Sequence, residues 1–131
     1  MNRKKLFIRL ALLISFIFII NSIANKFYLY SSIIYFDMIM HFLGGFWLSL
    51  FFIWLYKEEK FNSINILKIM LSVLFVGAFW EIFEIVVNDS LAHNPFDALD
   101  TFSDLFFDLF GGITAIFYVM KRIMKKSEDT V

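Results

Sequence analysis

Asp37 and His41 stand four residues apart in FDMIMHFLGGF (Phe36–Phe46), and Asp104 and Asp108 repeat that spacing in SDLFFDLFGGI (Ser103–Ile113). Glu81 and Glu84 lie three apart in a third apolar stretch. In a helix, each of these spacings puts both members of the pair on one face. Carboxylates with a single imidazole form a donor set for Mg²⁺, Mn²⁺ or Zn²⁺. An ion held there could polarise a phosphoryl oxygen or activate water on a lipid-linked or other cell-envelope substrate. In that scheme the candidate ligands are Asp37, His41, Glu81, Asp104 and Asp108, with Glu84 or Asp100 as acid or base. Two other classes use the same groups. Crowded carboxylates carry protons in a proton- or cation-coupled transporter, and a polar cluster can simply tie helices together in a structural or regulatory subunit. Against transport, Lys68 is the only ionisable group in the inner half of the expected pathway, and no helix is broken by Pro.

Composition says what must hold these residues. The 131 residues are 60% hydrophobic and 21% aromatic, with 19 Phe, and the 18% that are charged would cover a soluble core poorly. Lipid removes that need. With no Cys, disulfides, thiolate metal sites and Cys nucleophiles are excluded. There is no nucleophilic Ser motif, phosphate-cradling glycine loop or nucleotide fingerprint, and no nucleic-acid partner is expected.

Four segments, about 6–24, 34–56, 66–87 and 102–120, are long enough to cross a bilayer at roughly 1.5 Å per residue. Lipid offers backbone groups no partners, so each is expected to be an α-helix. The connections are short, so neighbours should run antiparallel. The expectation is an all-α, polytopic bundle of four transmembrane helices forming one membrane domain over residues 1–131. A bundle this small also suits a homodimer.

Arg3, Lys4, Lys5, Arg9, Lys57, Lys60, Lys68, Lys121, Arg122, Lys125 and Lys126 fall on one side, and Lys26 alone falls on the other. The positive-inside rule then makes both termini cytoplasmic in the cell membrane, with 25–33 and 88–101 facing outward. The basic start and the Ser22-Ile23-Ala24 that closes the first apolar run also fit a cleavable signal peptide, a second reading of that segment.

Counting inward from the outer helix ends puts Asp37, Glu84 and Asp104 about 3–5 Å deep and His41, Glu81 and Asp108 about 9–10 Å deep. Three helices thus carry polar groups in two matching layers. Facing lipid would cost an ionised group about 2.5–3.5 kcal/mol, so the faces should turn inward around an outward-opening pocket. Gly44-Gly45 and Gly111-Gly112 follow on the same faces, where small residues let backbones approach. The repeated eleven residues suggest a parallel internal repeat of two helix pairs.

Other polar residues have plainer readings. Asp37 and Asp104 fall in the first turns of their expected helices and Asp100 at an N-cap. Glu58, Glu59, Glu128 and Asp129 read as solvated. Tyr28, Tyr30, Trp54 and Tyr56 read as interface anchors, and His93-Asn94-Pro95 as a turn overhanging the pocket.

The chain resembles the VanZ-like and YjdF-like small integral membrane proteins. Asp37, His41, Phe42, Gly45 and Phe46 match the first YjdF-type motif, Trp80, Glu81 and Glu84 the second, and Asp100, Thr101, Asp104 and Gly111 the third. In the looser VanZ-type pattern, Gln replaces the second Glu and Asn stands at position 108. It also carries an Arg before the last motif that this chain lacks. The resemblance implies a multi-helix membrane fold and hints at cell-envelope chemistry. Without that Arg, the glycopeptide-tolerance association of VanZ-like proteins is not carried over.

Overall fold

The computed structural model describes residues 2–93 and 95–124. Lys125, Lys126, Glu128 and Asp129, together with Asn94 of the expected turn, lie outside the described residues. The described chain is helical and contains no strand. Four helices are long and apolar enough to span a membrane. They are α1 (Arg3–Lys26), α3 (Phe36–Tyr56), α4 (Ser63–Val87) and α5 (Ala98–Tyr118); a short α2 (Leu29–Ser32) lies in the connection where only a loop was expected. The protein is a multi-pass membrane protein.

Local chemistry sets the helix ends. Asn2 and Asn62 cap α1 and α4, each accepting a backbone N–H three residues on, at 3.0 and 2.8 Å. Left-handed Lys57 (φ 57°) ends α3. A π-turn, Asn88–Ala92, extends α4 until left-handed His93 (φ 52°) stops it. Asp97, rather than Asp100, caps α5 by accepting from Leu99 N–H at 3.0 Å. The helix therefore starts four residues earlier than hydropathy placed it, because polar Asp97–Asp104 lowers the apolar signal of its first turns. Asp104 consequently sits in the second turn and is 2% exposed, so the first-turn cap reading does not apply to it.

The tightest packing joins α3 and α5. A Cβ built on Gly45 would land in the backbone carbonyl of Asp108, and one on Gly111 in that of Phe42. The contact is reciprocal: each helix presents a glycine to the other's backbone. Their neighbours behave differently. Gly44 has nothing within 4 Å of such a Cβ, and Gly112 meets only the Met70 and Val73 side chains. One glycine of each pair, not both, makes the close approach.

On the side away from the acidic residues, Leu6, Leu10, Leu50, Ile53, Ile69, Ala115, Ile116 and Val119 form one buried apolar cluster drawn from all four long helices. Polar groups pin α1 there. Trp47 Nε1–H donates to the Leu10 carbonyl at 2.9 Å, Arg3 to that of Trp54 at 3.2 Å, and Arg9 to Tyr118 Oη at 2.8 Å. Glu58, expected to be merely solvated, is paired with Lys68 at 3.3 Å, and the Lys68 ammonium lies 3.9 Å from the centre of the Tyr56 ring. Outside this core the helices expose large apolar side chains, among them Phe18, Phe75, Phe79 and Phe106 at 62–74%. Water would penalise that surface, and lipid solvates it.

Candidate functional site

The polar residues meet at the opposite end of the bundle, between α3, α4 and α5. His41 is the hub. Its Nδ1 faces Asp108 Oδ1 at 3.3 Å, near enough for the ring N–H to donate to the carboxylate. Nε2 faces three further acids, at 3.8 Å from Glu81 Oε1, 3.8 Å from Asp104 Oδ2 and 3.9 Å from Asp37 Oδ1. Glu84 joins from α4, with one ligand atom each from His41, Glu81 and Glu84 lying within 4.8 Å of one another. The same limit holds for Asp37, His41 and Asp104. All three helices contribute, and the two layers expected from residue counting meet on one imidazole.

Burial differs within the group. His41, Glu81, Asp104 and Asp108 are buried, Asp37 and Glu84 are half-buried, and Asp100 is exposed at the mouth. Glu81 Oε1 has no hydrogen-bond partner although it is buried. A buried oxygen of that kind costs several kcal/mol in an apolar surround unless something compensates it. Among the described residues, the one side-chain hydrogen bond within this group joins His41 and Asp108.

Glycines make the room. Gly77 lies one turn from Glu81 on the same face of α4, and a Cβ there would meet Asp108 Oδ2 at 2.5 Å. Sequence reasoning passed over Gly77, because it is unpaired and sits in an otherwise featureless apolar run. Its signal was the four-residue spacing to Glu81, the same spacing that joins His41 to Gly45 and Asp108 to Gly112.

Beside the group lies a cavity of about 890 Å³. Asp37, His41, Glu84, Asp100 and Asp108 line one wall, and α1, α3 and α4, with Tyr30 of α2, supply most of the rest. Asn21, Asn25 and Tyr30 also border it, and sequence reasoning gave none of them a role in the pocket. Tyr30 Oη donates to Asn21 Oδ1 at 2.7 Å and packs edge-on against Phe36. Burial first, and then the charges of Asp37 and Glu84, push the Tyr30 phenol above its ordinary pKa, which keeps it neutral and able to donate. His93 does not border the cavity.

A family model described as a predicted membrane protein, DUF2238, matches residues 1–125. The chain belongs to this DUF2238 family. The match takes in all four spanning helices and every member of the polar group. No curated protein matches the chain, and no solved structure matches it.

Proposed function

We propose that this DUF2238 protein holds a divalent metal ion between α3, α4 and α5 and uses it to bind or act on a lipid-linked or other cell-envelope substrate. One observation carries the reading. Glu81 Oε1, buried without a partner, faces His41 Nε2 at 3.8 Å, and Asp37 and Asp104 face the same nitrogen at 3.9 and 3.8 Å. A cluster that served only to join helices would bond its members throughout, yet beyond the His41–Asp108 bond His41 Nε2 stands 3.8–3.9 Å from each of the three acids it faces. Ligand atoms around a first-row divalent ion are separated by about 3–4 Å, so the spacing suits coordination better than hydrogen bonding.

In this reading Asp37, Asp104 and His41 Nε2, whose residues can bring ligand atoms within 4.8 Å of one another, are the core ligands, and Glu81, which groups with His41 from α4, closes in on the ion when it binds. Asp108 takes a different role from the one expected of it. Bonded to Nδ1, it fixes the tautomer that leaves Nε2 free, as carboxylates behind metal-binding histidines do. Three carboxylates and one imidazole suit Mn²⁺ or Zn²⁺ better than Mg²⁺, which prefers oxygen throughout. The bound ion would supply Lewis acidity. Glu84 and Asp100, nearer the mouth, are left to hold or take a proton from the substrate.

The basic-residue asymmetry supports an outward-facing cluster with both termini in the cytoplasm. The transport reading is weaker, because the α3–α5 backbone contact and the apolar cluster beyond it leave the polar group at a dead end. All the proposed ligands come from one chain, so the reading needs no homodimer.

Metal analysis of the purified protein, wild type beside His41→Ala, tests the proposal. Near-stoichiometric Mn²⁺ or Zn²⁺ in wild type, lost in the variant, is the expected result. Wild type free of metal after loading and desalting would overturn it.

A further inference from the structure

The cavity is larger than a metal site needs, and its shape is informative. At the basic end α1 is locked into the core through Leu6 and Leu10. The helix packs on α3 and α2 and has no substantial contact with α4. Only 11% of its spanning window is buried, against 39% for the last helix. Between α1 and α4 the structure leaves a slot, walled by Ile14, Ile17 and Phe18 on one side and Val76 and Trp80 on the other. Ile14, Phe18 and Trp80 line this slot and are still 42%, 70% and 51% exposed. Its walls therefore run out onto the lipid-facing surface, and the slot opens sideways into the bilayer.

We propose that this slot takes a membrane lipid whose headgroup carries a primary ammonium, with an acyl chain between α1 and α4 and the ammonium at Glu84 and Asp100. The occupant is a lipid because the slot is apolar along its length, where it opens to the bilayer, and polar only at the end near the cluster, where a headgroup would lie. Its volume lies toward the upper end of the roughly 300–1,000 Å³ typical of small-molecule sites.

The sign of the headgroup follows from the walls. Asp37, Glu84, Asp100 and Asp108 border the cavity, and no Lys or Arg among the described residues does. Lys26, the basic residue nearest in sequence, lies over the Phe27 ring. An anionic headgroup would meet carboxylates it could approach only through the metal. An ammonium would pair with the two carboxylates that the metal reading leaves free, and charge-assisted N–H···O bonds are the strong ones. Asn21 and Asn25, which also line the cavity, would receive the phosphate or carbonyl oxygens of the same headgroup. The inference adds a substrate class to the metal reading, but its slot and charge arguments stand without the ion.

The test is photolabelling in phosphatidylcholine nanodiscs. One probe is a phosphatidylethanolamine with a diazirine in its acyl chain, and the other is the matching phosphatidylglycerol. In wild type, the ethanolamine probe should label peptides containing Ile14–Asn25 about tenfold more than the glycerol probe. Glu84→Gln combined with Asp100→Asn should bring the two probes close to parity. Ile17→Trp, which fills the slot, should suppress labelling by both while leaving Mn²⁺ binding intact. Equal labelling by the two probes in wild type, a preference for the glycerol probe, or labelling indifferent to Ile17→Trp would each overturn the inference. Loss of Mn²⁺ binding is read separately and bears only on the metal proposal.

Discussion

The Asp108 carboxylate occupies the space that a side chain at Gly77 would fill, with only 2.5 Å between its Oδ2 and the position of a Cβ there. A missing side chain on α4 thus positions an acid on α5, which in turn orients an imidazole on α3. If that chain of contacts matters, Gly77→Ala should weaken Mn²⁺ affinity by about tenfold, within the range seen when groups behind metal ligands are disturbed. Helical content should be unchanged, since Ala favours a helix over Gly by up to about 1 kcal/mol. Unaltered affinity in a metal titration would remove Asp108 from the account.

The reciprocal glycine contacts predict an asymmetric mutational pattern. Gly45→Ala and Gly111→Ala each drive a methyl group into the backbone of the facing helix. Overpacking of this kind costs about 1–3 kcal/mol. Gly44→Ala meets nothing within 4 Å and should cost nothing measurable. Unfolding of the three variants in mixed micelles checks this. Equal effects at Gly44 and Gly45 would contradict it.

The proposed orientation has its own check. Reporters fused after Lys60 should read cytoplasm, and one inserted at Ser90 should read the outside. Reversed signals would turn the polar end inward and remove the envelope substrate from consideration.

Metal binding should also appear as stability. An ion that binds only the folded bundle adds about 2.7 kcal/mol at a hundredfold excess over its Kd. Chelator should therefore lower the unfolding temperature of wild type and leave that of His41→Ala unmoved. Destabilised variants beside a chelator-indifferent wild type would favour a polar cluster that only holds helices together.

Much of this was legible in the sequence, for identifiable reasons. Apolar length gave the four spanning helices, and the cost of charge in lipid turned Asp37, His41, Glu81, Glu84, Asp104 and Asp108 toward one another. Other features were not legible. The start of α5 depended on which aspartate capped it: the expected cap was Asp100, and Asp97, three residues earlier, takes that place. The division of labour on His41 depended on ring orientation, which spacing alone does not encode. The slot between α1 and α4 arises because two apolar helices fail to pack, and hydropathy makes no distinction between a helix that faces lipid and one that faces a gap.

The most direct test of the central claim is pulsed electron paramagnetic resonance of Mn²⁺ bound to the purified protein. The account predicts ¹⁴N modulation from a directly coordinated imidazole in wild type. In His41→Ala that modulation should be absent, and in Asp108→Asn it should persist with weaker binding. Bound Mn²⁺ without nitrogen coupling in wild type, or no bound Mn²⁺ at all, would contradict it.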